Sequence, residues 1–283
     1  MSDNDVGMRD ILARHGFRFS KSMGQNFLVD PYIPERIAEE SEVSSDMHVL
    51  EIGPGIGALT RHLCERAGFV TAIELDKSLP PILAETLADY PNHEIIAGDA
   101  LKLDIAELML RKSEFTRLAV CANLPYNITA PIIAKLLECG IFETVTVMVQ
   151  REVANRMAAK PGTSDYGAFT VFVSYYSNPQ KLFDVPPGCF MPAPKVTSSV
   201  VRMETHPQPP EIEDKDKFFK VVKAAFSQRR KMLVNALMPI CGGFTKDEVT
   251  KIVTDCGISA TARGETLGIP EFAALAKALF PEK

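Results

Sequence analysis

The chain has 283 residues, 46 % of them hydrophobic and 24 % charged, a composition that excludes collagen, coiled coil and intrinsic disorder. No apolar run reaches the ~18 residues of a membrane-crossing helix, and the polar start Met1-Ser2-Asp3-Asn4-Asp5 predicts no secretory leader. The net charge of −5 argues at first against a polyanionic partner, yet residues 31–150 hold 9 Lys/Arg against 18 Asp/Glu, while 151–202 hold 6 against 3 and 211–283 hold 12 against 10, so any phosphates have to be met outside the acidic half.

Between about 47 and 150, short apolar runs at 49–52, 69–73, 94–96, 118–122 and 144–149 alternate with amphipathic stretches at 58–66, 79–88 and 130–138. Apolar strands alternating with helices predict βαβ units and a parallel sheet covered on both faces. Residues 168–176 and 196–203 read as two longer strands with a Pro-rich connection, an antiparallel pair added to the sheet edge. Three prolines within 204–212 mark a linker. Beyond it the chain reads as helical: Phe218, Phe219, Val222, Ala225 and Phe226 keep a 3.6-residue period, and Thr245 is placed as a helix N-cap with Glu248 three residues later. Six cysteines, at 64, 121, 139, 189, 241 and 256, form no CxxC pair and no zinc-spaced cluster with histidine. They predict a reducing compartment, no disulfide framework and no metal centre.

The run Val49-Leu50-Glu51-Ile52-Gly53-Pro54-Gly55-Ile56-Gly57 is an apolar strand entering a glycine turn and then a helix. Glycines there let a ligand approach the backbone closely. Gly53-x-Gly55-x-x-Ala58 also fits the dinucleotide fingerprint, so alone it leaves the cofactor open. Glu74 closes the next strand, 21 residues after Gly53, where a carboxylate can accept both hydroxyls of a ribose. A third strand ends at Gly98-Asp99-Ala100, and Asp99 can accept from an adenine amino group. The fourth ends in Asn123-Leu124-Pro125-Tyr126. Pro125 keeps Leu124 out of the α region and so helps to aim the Leu124 carbonyl. The Asn123 side chain offers a second carbonyl, and Tyr126 a ring face on which a base can stack.

In this order the chain resembles the ribosomal RNA adenine N6,N6-dimethyltransferase family, in the branch that acts on the small-subunit RNA. The resemblance runs over nearly the whole chain, from Lys21-Ser22-Met23-Gly24-Gln25-Asn26-Phe27-Leu28 through Glu51–Gly57, Glu74, Gly98-Asp99-Ala100 and Asn123–Tyr126. It continues with Phe190-Met191-Pro192-Ala193-Pro194-Lys195-Val196, Phe226-Ser227-Gln228-Arg229-Arg230-Lys231 and Arg263-Gly264-Glu265-Thr266-Leu267. It implies an α/β, Rossmann-like class I S-adenosylmethionine-dependent methyltransferase domain over 31–205. An N-terminal arm, 1–30, would contribute to the cofactor and RNA site, and a small all-helical domain, 211–283, would bind RNA or the ribosome. It implies S-adenosylmethionine as cofactor, contacted by Asn26 and Leu28 from the arm, by Gly53 and Gly55 along the methionine part, by Glu74 at the ribose and by Asp99 at the adenine. Asn123 and Leu124 would sit beside the transferred methyl and the target N6, and Tyr126 and Phe190 would sandwich the flipped base. The implied partner is 16S rRNA in the small ribosomal subunit or its precursor, met in the cytoplasm by a monomer with a role in subunit biogenesis. Three alternatives stand beside this reading: a large-subunit rRNA adenine N6-methyltransferase of the antibiotic-resistance type, a ribosome-assembly binding factor, and a nicotinamide-dependent dehydrogenase. No Tyr-x-x-x-Lys pair or hydride-relay histidine supports the dehydrogenase.

Overall fold

The structure, a computed structural model, describes residues 10–19, 25–209, 211–228 and 230–281. The chain divides into two compact units, Met1–Ala154 with Asn178–Thr205, and Asn155–Ser177 with His206–Lys283. Among the described residues no helix is long and apolar enough to cross a membrane.

In the first unit, strands β2 (Met47–Ile52), β3 (Phe69–Glu74), β4 (His93–Ala97), β5 (Arg117–Asn123) and β6 (Thr144–Gln150) form parallel pairs. They are joined through helices Ala58–Cys64, Pro80–Thr86, Ile105–Leu110 and Thr129–Cys139. Every residue of β2 is buried, and so are the five central residues of β5 and of β6. That is why these runs are continuously apolar rather than alternating: both faces of the sheet are covered there. The seven strands lie in the order β4-β3-β2-β5-β6-β9-β7, where β7 is Ser177–Val185 and β9 is Ser198–Thr205. From β2 the chain winds outward through β3 and β4, then returns to β5 on the other side. The order therefore reverses between β2 and β5, and a crevice at a topological switch point opens at their carboxyl ends. A separate antiparallel pair joins β1 (Phe27–Leu28) to β8 (Phe190–Met191), with Phe27 opposite Met191 and Leu28 opposite Phe190.

The antiparallel edge exists, with β9 running against β6, but its other strand is Ser177–Val185. Residues Ala168–Tyr176, expected as a strand, are an α-helix. Their β-branched and aromatic composition favours a strand only on a half-buried sheet surface. Here the aromatic rings pack among other helices. Tyr175 lies 5.5 Å from Phe218 and 5.0 Å from Phe219 between ring centroids, and Phe172 meets Tyr176 one turn on at 5.1 Å. A helix that is apolar nearly all round is a buried helix. The Gly167 N–H donates to Thr170 Oγ1 at 3.1 Å and starts the first turn.

For the same reason the second unit is not contiguous in sequence: residues 155–177 group with the C-terminal helices rather than with the flanking sheet residues. Its helices are Ala168–Tyr176, Lys215–Phe226, Leu233–Leu237, Lys246–Asp255 and Ile269–Leu279, around a core that includes Tyr175, Phe218 and Phe272. The expected cap is present. Thr245 Oγ1 accepts from the Glu248 N–H at 3.3 Å, and Glu248 Oε2 accepts from the Thr245 N–H at 2.7 Å.

Candidate active site

Four parallel strand ends build the site. At the end of β2 the turn glycines Gly53 and Gly55 have φ of 71° and 61°. The Gly53 N–H still donates to the Ile73 carbonyl at 2.9 Å, so the turn leaves the ladder only after that residue. A Cβ on Gly55 would stand 3.1 Å from the Phe27 ring, so both the backbone conformation and the space demand glycine there.

Glu74, the last residue of β3, is 6 % exposed. Its Oε1 accepts from the Asp76 N–H at 2.8 Å and its Oε2 from the Gly55 N–H at 3.3 Å. Burial raises the pKa of this carboxyl despite those donors and the Leu75 N–H. A carboxylate has about four lone-pair directions, so acceptor capacity is left on Glu74. After β4, the Gly98 N–H extends the ladder to the Glu74 carbonyl at 2.8 Å. The next residue, Asp99, folds a tight turn around itself: Oδ1 accepts from the Leu101 N–H at 3.0 Å, and its carbonyl accepts from the Lys102 and Leu103 N–H groups at 2.8 and 3.1 Å.

At the end of β5, the Asn123 Nδ2 donates to the Asn26 carbonyl at 3.4 Å, which ties the N-terminal segment to the strand end and leaves the carboxamide oxygen as the acceptor. The Leu124 N–H donates to the Met148 carbonyl at 3.1 Å, and the Pro125 carbonyl accepts from the Ile128 N–H at 3.2 Å. The Tyr126 hydroxyl meets Ser198 Oγ of β9 at 2.5 Å, and burial raises the tyrosine's pKa.

Of the residues singled out in the sequence, Gly53, Gly55, Glu74 and Asp99 line one cleft, together with Asn26 of the arm and with Asn123, Leu124 and Tyr126. Two do not line it. Leu28 and Phe190 are 5 % and 4 % exposed and belong to the core of the first unit, paired across β1 and β8. The segment Lys21–Gly24 and Arg229 fall outside the described residues. Leu28 instead borders a smaller hollow shared with Glu51, Gly53, Gly55 and Asn123.

Two polar residues escaped the sequence reading. Glu51, inside β2, is 1 % exposed, and its Oε2 has no hydrogen-bond partner among the described residues. Burial pushes its carboxyl up to about 8, and the nearby Glu74 charge acts in the same direction. Lys135, on the helix Thr129–Cys139, gathers three main-chain carbonyls of the Asp99 turn. In both cases the available signal was a charge inside an otherwise apolar run.

The chain also resembles known proteins. A family model described as ribosomal RNA adenine dimethylase matches residues 16–275. The chain is 46 % identical to ribosomal RNA small subunit methyltransferase A of Alkaliphilus oremlandii, over 96 % of this chain and 95 % of that one. It is 45 % identical to the protein of the same name from Bacillus mycoides, over 97 % and 96 %. Among solved structures it resembles a dimethyladenosine transferase from Plasmodium falciparum, with a TM-score of 0.74 and 26 % identity over 88 % of this chain and 95 % of that one. It also resembles the 23S rRNA methyltransferase ErmE, with a TM-score of 0.69 and 28 % identity over 90 % and 99 %. A match that takes in the arm, the sheet and the terminal helices alike leaves one placement: this chain belongs to the ribosomal RNA adenine dimethylase family.

Proposed function

We propose that the protein dimethylates N6 of two adjacent adenosines in the 3′-terminal hairpin loop of 16S rRNA, within the small ribosomal subunit or its precursor, with S-adenosylmethionine as methyl donor. The observation that carries this reading is the placement of Asn123. Its amide N–H end is held by the arm at Asn26, its carboxamide oxygen is left as an acceptor, and the residue lines the same cleft as Glu74 and Asp99. The small-subunit substrate is favoured because relatives bearing that name are 45–46 % identical, against 28 % for the 23S rRNA enzyme.

The residues present fit such a donor. Glu74 retains acceptor capacity for a ribose hydroxyl, and Asp99 retains Oδ2 for an adenine amino group. The unpartnered Glu51 Oε2 beside the glycine turn is an acceptor that an ammonium group would satisfy. When bound, S-adenosylmethionine supplies an electrophilic methyl group on a sulfonium.

What the chain itself does is position the nucleophile. The N6 lone pair of adenine is delocalised into its ring and attacks poorly. Carbonyl acceptors at Asn123 and Leu124 accept hydrogen bonds from the N6 amino group, two before the first transfer and one before the second, and favour a pyramidal nitrogen whose lone pair is free to attack. Holding reactants in such a geometry can supply up to about 7–11 kcal/mol in the best intramolecular cases. Asn123 has no ionisable carboxyl and does not act as a base; the nitrogen loses its proton after transfer, when it is acidic. The Tyr126 ring, pinned through its hydroxyl to Ser198, offers the flipped base a stacking face that offsets its unstacking, a cost of a few kcal/mol. Phe190 sits in the core opposite Leu28, so its part in a sandwich requires its ring to be uncovered first. In the helical unit the exposed Arg230 and Lys231 are the phosphate contacts of this reading.

The test is methyl transfer to small subunits isolated from a strain lacking the modification, with large subunits and naked 16S RNA in parallel. Mass spectrometry of the digested RNA should find N6,N6-dimethyladenosine in the small subunit. Product confined to 23S RNA would replace this reading with the large-subunit one, and no methylated adenosine anywhere would end it.

A further inference from the structure

Lys135 lies at the end of the second turn of the helix Thr129–Cys139, half-buried between Ile132, Ile133, Leu136 and Leu137, which are all fully or almost fully buried. A lysine in such a place is expensive to hold unless its ammonium is satisfied. Here all three of its donors are used: Nζ donates to the carbonyls of Ala100 at 3.0 Å, Leu101 at 2.9 Å and Leu103 at 2.5 Å.

The other ends of those peptide groups decide what this does. In a trans peptide the carbonyl and the following N–H point in opposite directions. The Ala100–Leu101 peptide gives its carbonyl to Lys135 and its N–H to Asp99 Oδ1 at 3.0 Å. The Leu101–Lys102 peptide gives its carbonyl to Lys135 and its N–H to the Asp99 carbonyl at 2.8 Å. Two successive peptide planes are thus gripped between the Lys135 ammonium on one side and Asp99 on the other. Withdrawing electron density at the carbonyls also strengthens the N–H donors that face Asp99, since bonds in a chain polarise one another. The Asp99 Oδ1 is fixed by this arrangement. The carboxylate plane is then set, and with it the direction of Oδ2. The pairing of Oδ2 with Lys102 at 3.6 Å is with a side chain 84 % exposed, which constrains it little.

The geometry points to Lys135 as a positioning residue that sets the specificity of the Asp99 turn for a 6-aminopurine on the methyl donor. This rests on the assignment of Asp99 to the donor's adenine. The helix that carries Lys135 begins at Thr129, three residues after the Asn-Leu-Pro-Tyr segment, and is tied back to it where Thr129 Oγ1 donates to the Pro125 carbonyl at 3.2 Å. One rigid element therefore connects the main chain beside the target-base site to the main chain beside the donor's purine.

The experiment is calorimetric binding of S-adenosylhomocysteine and its 6-oxo counterpart, S-inosylhomocysteine, to the full chain and its variants. Lys135→Met is expected to weaken the adenosyl ligand about tenfold and the inosyl ligand hardly at all, so that the preference for adenine shrinks about tenfold; disruption of a charge-assisted hydrogen-bond network is of this size. Methyl transfer at saturating donor should stay within about twofold. Lys135→Arg keeps a cationic donor on the same helix and should restore most of the preference. Should Lys135→Met not fold, Lys135→Gln, which drops the charge but keeps two donors, is read in the same way. Equal weakening of both ligands, or an unchanged preference, overturns the inference. Two controls separate it from the reading beneath it. Glu74→Ala should weaken both ligands alike, and Asp99→Asn should abolish the preference. A preference that survives Asp99→Asn removes the adenine assignment, whereas one that survives only the Lys135 variants removes the role given to Lys135.

Discussion

Asn123 and Glu51 share the strand-end region but test different physics. Asn123→Ala removes a side-chain acceptor for N6 and the hydrogen bond to the Asn26 carbonyl, but leaves Glu74 and the glycine turn in place. Methyl transfer is expected to fall by at least about a hundredfold, the size of a missing transition-state hydrogen bond, with donor affinity changed by less than about threefold. Single-turnover transfer measured beside calorimetry separates the two, and near-normal turnover would refute the acceptor role. Glu51 gives a stability test. Its carboxyl titrates near 8 in the fold against an ordinary 4.5, so between those values the folded state holds a proton that the unfolded state has released. Stability attributable to this group is therefore complete below about pH 4.5 and declines as pH rises toward 8, at on the order of 1 kcal/mol per pH unit. In urea unfolding, Glu51→Gln should gain on the parent by about that slope across pH 5–8. Parallel curves would mean that Glu51 is charged throughout.

The elements differ in how far they could be read from the chain. The glycine turn, the acids at strand ends and the Thr245–Glu248 cap depend on residues within one turn or one strand of each other, and local backbone chemistry writes them directly into the sequence. The turn at Asp99 was legible for that reason, whereas the Lys135 clamp on it was not: its partners lie 32 to 35 residues away and are main-chain carbonyls with no side-chain signature. Residues Ala168–Tyr176 misled because a run of Val, Phe and Tyr suits a strand and a fully buried helix equally, and only its ring contacts with Phe218 and Phe219 decide. Phe190 was placed beside the target base by its motif, but its pairing with Leu28, which spans more than half the chain, buries it. That same β1 segment can be tested at the glycine turn. Gly55→Ala must hold a Cβ at φ 61° and 3.1 Å from Phe27. The backbone part costs about 1–2 kcal/mol, and the steric part adds to it. Adding Phe27→Leu should recover the steric part in chemical denaturation and leave the backbone part, so the two substitutions should be non-additive. Full additivity would show that the Phe27 ring is not what confines the turn.

At the scale of the whole molecule the question is how a protein of net charge −5 takes an RNA substrate. The acidic excess lies in residues 31–150, the stretch that supplies the parallel strands, whereas 211–283 carries 12 Lys/Arg against 10 Asp/Glu. Neutralising a phosphate releases counterions wherever the local lysine or arginine sits, so the global sign is not the relevant quantity. Arg230 and Lys231 are exposed and lie four and five residues beyond the end of the helix Lys215–Phe226, whose apolar face is buried in the helical unit. Reversing both to glutamate should weaken binding to small subunits or to the 16S hairpin and reduce the slope of log affinity against log salt by about 0.7 for each phosphate no longer neutralised. Reversing Arg111 is the matched control. It is also exposed, but it lies in the acidic stretch and is paired with Glu107 at 2.9 Å, so its reversal should leave the slope where it was. A slope indifferent to Arg230 and Lys231 but sensitive to Arg111 would move the RNA to the acidic stretch and overturn the division of labour drawn here. A slope that falls only with the first pair would fix the phosphate contacts on the helical unit, with chemistry left to the strand ends.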